Sequence, residues 1–130
     1  MLITTVSELL THYQFYAMTL NYIEVNEENR EVTLNMDYFF DNKKNLHIDD
    51  AINCELIFHN CFFWRLEGDI SLLEAKNKNI DGTFLVSEIL ENNTSLEELR
   101  FFIEVDHYEP RNQYYLTMNI IPESITLTQN

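Results

Sequence analysis

Residues 77 to 88 read NKNIDGTFLVSE, a run of oxygen-bearing side chains spaced like the ligands of a calcium loop. Such a loop takes oxygen donors at positions one, three and five, a glycine at six where the chain turns sharply, a carbonyl at seven and a bidentate glutamate at twelve. Asn77, Asn79, Asp81, Gly82, Thr83 and Glu88 stand at those positions. The chemistry would be coordination of one hard cation by these residues, making the chain a calcium-binding module.

Over about 25 residues this stretch resembles the EF-hand family, with apolar Leu73 before the loop and Ile89 and Leu90 after it. It departs from the family at position one, where Asn77 replaces an aspartate, and at position nine, where Leu85 cannot hold a water. Only Asp81 and Glu88 bring charge, and affinity in this class follows charge count. The same residues also read as a turn at Asp81-Gly82, a strong hairpin signal, followed by a strand, TFLVSEIL, with Phe84 and Val86 on one side.

No other constellation has the spacing of a site. His12, His47, His59 and His107 are far apart, and none is joined to a second ligand at helical or zinc-knuckle spacing. Cys54 and Cys61 lie among apolar residues and read as two buried, reduced thiols. There is no GxSxG, P-loop or HExxH, and two glycines leave no loop to cradle a phosphate. With 22 acidic residues the number of conceivable acid and base pairs is large, so their presence points to no particular pair. Asp49-Asp50 and Glu97-Glu98 read as exposed turn charges. The expectation is a protein that is no enzyme and needs no cofactor.

Charge says more. Asp and Glu outnumber Lys and Arg by 22 to 8, a formal charge of -14, and the acids run from Glu8 to Glu123 instead of forming a tail. Such a field repels nucleic acid and anionic membranes and steers basic proteins into contact. MLITTVSELL has no basic segment before its apolar residues, and nowhere do 18 apolar residues run together. These features imply a cytoplasmic protein whose partner, if it has one, is a basic protein.

The elements that must position these side chains are mostly strands. The 130 residues suit one domain, and 45% hydrophobic content, with Phe 9 and Tyr 7, is enough for a core. Val32, Leu34, Met36, Tyr38 and Phe40 alternate with polar residues as in a half-buried strand. Before them Met18, Leu20 and Tyr22 give way to Ile23 and Val25, a change of phase that predicts a bulge or a strand covered on both sides. The polar NEEN at 26 to 29 makes the two a hairpin. INCELIFHNCFFWRLEG, in which Ile52, Cys54, Leu56 and Phe58 alternate and Phe62, Trp64 and Leu66 follow after His59-Asn60, reads as a second hairpin or one long kinked central strand. LRFFIEVDHY and YYLTMNI form a third pair around EPRN, and SITLTQ follows Pro122 as a short edge strand. TVSELLTHY predicts a short helix, and Ser95 three residues before Glu98 marks a weak capping box. The fold class is α+β, mainly β: an antiparallel sheet of about six to eight strands with one or two short helices.

Phe62, Phe63 and Trp64 put apolar bulk on both faces of their strand. An outward Phe63 next to Arg65 would form a binding patch, since aromatic residues and arginine concentrate in interface hot spots. Tyr114 and Tyr115 raise the same possibility on a facing strand.

Taken together, MTLNYIEVNEENREVTLNMDY, INCELIFHNCFFWRLEGD and YYLTMNIIPESITLTQ look like the small bacterial immunity-type proteins of the YxiG-like group. The likeness lies in rhythm and length. The His-Asp pair that many of those proteins carry before the first strand is absent, since Tyr13 and Gln14 follow His12. The resemblance implies a cytoplasmic, non-enzymatic inhibitor that neutralises a toxin by binding it. Glu27, Glu28, Glu31, Asp49 and Asp50 would meet lysines or arginines of the partner, with Phe63 and Arg65 anchoring the contact. A second reading is a phage-encoded, anti-CRISPR-like inhibitor of a bacterial defence nuclease, which requires carboxylates gathered on one face to imitate nucleic acid.

Overall fold

The computed structural model describes residues 2–3, 5–41, 46–68, 78–91, 95–108 and 111–129. Among these the chain forms β1 (Leu2–Ile3), α1 (Val6–His12), β2 (Thr19–Asn26), β3 (Glu31–Asp41), β4 (Leu46–His59), β5 (Phe63–Gly68), β6 (Lys78–Leu90), β7 (Glu98–Tyr108), β8 (Arg111–Ile121) and β9 (Ser124–Gln129). The strands join in one antiparallel sheet in the order β1-β9-β4-β3-β2-β6-β7-β8-β5. Nine strands exceed the expected six to eight. β1 is too short for any periodicity to show, and β6 runs through a stretch whose Asp-Gly pair reads as a turn.

The sheet curls until its two halves face each other. β4 and β7 are four places apart in the sheet, about 19 Å if it were flat. Yet the Phe58 and Phe101 rings lie 6.4 Å apart. Two residues, Pro122 and Glu123, suffice to lead from β8 near one end of the sheet to β9 near the other. The inward rows of both halves therefore make one core, in which Phe58, Phe84 and Phe101 are fully buried. Phe15 joins it edge-on, 5.6 Å from Phe84 and 5.2 Å from Phe101.

α1 starts at Thr5, whose side-chain oxygen accepts a hydrogen bond from the Glu8 amide at 3.0 Å. It buries Val6 and Leu9, and Ser7 fastens it to Glu97 ahead of β7. The bulge expected in β2 is present as a register shift between Leu20 and Tyr22, so Leu20, Ile23 and Val25 all point inward.

Several expectations change. β4 and β5 form neither a hairpin nor one strand: β4 lies between β9 and β3, while β5 pairs with β8 at the far end of the sheet. Asn60, at φ 47, breaks the alternation between them and turns Phe62 outward, 60% exposed. β9 is one strand in from the edge, because β1 pairs outside it. The sequence around Ser95 bends into β7 without forming a helix.

Candidate functional site

The curl creates a junction where three connections meet. The β2–β3 turn holds Glu27 and Glu28 exposed, with Arg30 at φ 52 closing it. The Cys61 amide donates to the Arg30 carbonyl at 2.7 Å, and the Arg30 guanidinium donates to the Asn60 side chain. Asn60 in turn donates to Glu123 at 2.6 Å, and the Phe62 amide donates to the Ile121 carbonyl at 2.9 Å. The acidic turn thus sits beside exposed Phe62 and Phe63. Glu27, Glu28, Glu31 and Phe63, distant in sequence, come to this one junction. Beneath it Cys61 is buried, which pushes its thiol up to about 11. Both cysteines are free and buried, as the sequence suggests.

From the junction two outward faces extend. The first, on β2, β3, β4 and β9, has Glu24, Glu31, Asp37 and Glu55, and no lysine or arginine among its described outward strand residues. Of these, Asp37 and Glu55 accept hydrogen bonds from neutral side chains. Tyr22 donates to Glu55 at 2.9 Å, a bond that, together with burial, holds the tyrosine above its ordinary range. Asn53 donates to Asp37 at 2.9 Å and to Asn35 at 2.9 Å, and Asn35 accepts a further bond from Asn21 at 3.0 Å. Glu31 lies 3.4 Å from His59, whose other ring nitrogen is 2.7 Å from the Thr126 hydroxyl.

The second face, on β6, β7, β8 and β5, is organised differently. Arg100 pairs with Glu88 and Arg65 with Glu67, the latter at 2.9 Å. Buried Asn119 donates to Glu98 at 2.8 Å. Between these pairs Val86, Phe102 and Tyr115 are exposed, the two rings 6.5 Å apart. Phe63 is 39% exposed, as a binding patch requires, and the Arg65 guanidinium carbon stands 5.8 Å from its ring centre. Tyr115 belongs to β8, a sheet neighbour of β7 and β5 and not a facing strand. Phe62 escaped the sequence reading because the phase breaks at Asn60. Phe102 was legible as the apolar residue interrupting the outward row between Phe101 and Ile103.

The calcium-loop residues are drawn apart. Asp81 and Thr83 lie within β6, and seven strand residues take Glu88 roughly 20 Å from Asp81, far beyond one ion's shell. Glu88 is bonded to Arg100 instead. No turn forms at Asp81-Gly82, and Gly82 serves close packing: a Cβ there would meet Ile103 Cγ2 at 3.2 Å and Leu20 Cβ at 3.3 Å. A bulge between Phe84 and Val86 sends the first inward and the second outward, against the expectation that they share a side. Asn77 and the side chain of Asn79 lie outside the described residues. No cluster of three His, Cys, Asp or Glu suited to a metal occurs among those described.

Asp49 and Asp50 belong to β4 and not to a turn, with side chains outside the described residues. Glu97 and Glu98 accept hydrogen bonds from Ser7 and Asn119 and are half-buried, not free turn charges. No helix among the described residues is long and apolar enough to cross a membrane. Comparison with known proteins returns no matching family model, no matching curated protein and no matching solved structure.

Proposed function

We propose that this chain is a non-enzymatic, acidic binding protein that neutralises a protein partner in the cytoplasm, in the manner of an immunity-type toxin inhibitor. The observation that supports this reading is the first face, where Asp37 and Glu55 accept hydrogen bonds from neutral donors. Their negative charge is therefore not cancelled. Such a surface attracts a basic cleft and occludes it. The junction adds the acidic turn of Glu27, Glu28 and Glu31 beside Phe62 and Phe63, an aromatic anchor next to carboxylates.

The gathering of Glu24, Glu31, Asp37 and Glu55 on adjacent strands favours one narrower version. In it the partner is a defence nuclease, and the face occupies its nucleic-acid channel. Nucleic acid would then compete with the protein for the partner.

The test is affinity capture from the native host with the wild-type chain and with Glu27→Lys/Glu28→Lys/Glu31→Lys. A basic protein recovered in stoichiometric amount by the first and lost with the second supports the reading. Recovery of only abundant basic proteins, alike with both, rejects it.

A further inference from the structure

β5 is the last strand of the sheet and hydrogen-bonds β8 along one edge, through an unbroken register from Phe63↔Ile121 to Gly68↔Leu116. No strand among the described residues pairs with its other edge. Proteins commonly protect such an edge with proline, lysine or a bulge. Residues 63 to 68, FWRLEG, contain neither residue, and their pairing has no shift.

We propose that β5 pairs edge to edge with β5 of a second copy of this chain, in an antiparallel two-fold dimer centred on Leu66. The argument is charge complementarity within six residues. In an antiparallel pair about Leu66, Arg65 of each copy stands opposite Glu67 of the other. Both side chains point outward and are more than half exposed, at 54% and 58%. Each salt bridge now made along one strand gains a counterpart across the two-fold, and opposite charges directly across a sheet attract. The same register sets Trp64 opposite Gly68 of the second copy. An isologous contact of this kind closes on itself and makes a dimer, not a fibre. The sheet becomes continuous through both copies. The proposal does not rest on the toxin-inhibitor reading, although Phe63 belongs both to β5 and to the junction which that reading uses.

The experiment is light-scattering mass as a function of concentration at low salt, on the full chain. The wild type shows a concentration-dependent dimer. Arg65→Glu and Glu67→Arg, each placing like charges opposite one another, raise its dissociation constant about tenfold or more. Arg65→Glu/Glu67→Arg restores it, and so does an equimolar mixture of the two single variants, which pairs only as a heterodimer. A monomer mass at every concentration up to about 1 mM overturns the proposal. So does a dimer that both single variants leave unchanged, or one that neither the swap nor the mixture recovers.

Discussion

On the outward face of β2, β3 and β4, Glu55 and Asp37 are held by a tyrosine hydroxyl and an asparagine amide, while on β5, β6 and β7 the outward Glu67 and Glu88 are held by Arg65 and Arg100. The difference is one of field, not of residue count. A neutral donor fixes a carboxylate in position and leaves its charge to act at a distance, whereas a guanidinium cancels it within a few ångströms. Two faces of one sheet, both rich in acid, therefore offer different surfaces: one a charged plate, the other a face where Glu67 and Glu88 are paired with arginine and Val86, Phe102 and Tyr115 are uncovered.

Charge reversal gives the largest effect. With an arginine-rich peptide as probe at low salt, Glu24→Lys/Glu55→Lys weakens binding about a hundredfold, and Glu67→Lys/Glu88→Lys by no more than about threefold. Equal losses, measured by calorimetry, would break the comparison.

The alkaline limb of stability comes next. Cys61 titrates at about 11 in the fold against 9.0 for a free thiol, so the folded chain holds its proton through a window where the unfolded chain loses it. That contribution is complete below pH 9 and disappears as pH rises towards 11, up to about 2.7 kcal/mol. Urea midpoints across this range fall for the wild type and fall less for Cys61→Ala.

Asn35 and Asn119 are the buried polar residues of the two faces, and they differ in connectivity. Asn35 accepts a hydrogen bond from Asn21 and exchanges two with Asn53, and Asn119 donates one to Glu98. Asn35→Ala is expected to cost about 2 kcal/mol and Asn119→Ala about 1 in chemical denaturation; the reverse order would mean that the asparagine ladder is decoration. Smallest is Arg100→Gln. It lowers stability by less than about 1 kcal/mol, because the pair is partly exposed, and it tightens binding of the basic probe two- to threefold by releasing Glu88.

Much of this architecture can be read from residue order. The alternation of Val32 to Tyr38 and of Leu99 to Val105 reports one buried side directly, and the phase change between Leu20 and Ile23 reports a bulge that the register contains. What local pattern cannot report is which strands become neighbours. INCELIFHNCFFWRLEG looks like one unit, yet Asn60 directs its two parts to places six apart in the sheet. The candidate interface suffered likewise: Glu27, Glu28, Glu31, Phe63 and Arg65 were legible as types, but their division between a junction and a strand edge depends on the curl. The Asp-Gly pair misled for a third reason. Its glycine answers to packing against Leu20 and Ile103, a tertiary demand that imitates a turn signal.

The short link from β8 to β9 bears on how the chain reaches this state. β9 is inserted between β1 and β4, with Leu2 paired to Thr126 and Phe58 to Ile125. Until residues near 125 are available, two strands made much earlier have an unsatisfied edge, and no local hairpin can substitute. Folding therefore waits on pairings of long sequence separation, and by the general relation between topology and rate it is slow for a chain of 130 residues. During synthesis β2, β3 and β4 emerge long before β9, and the final strand is the clasp that closes their open edge.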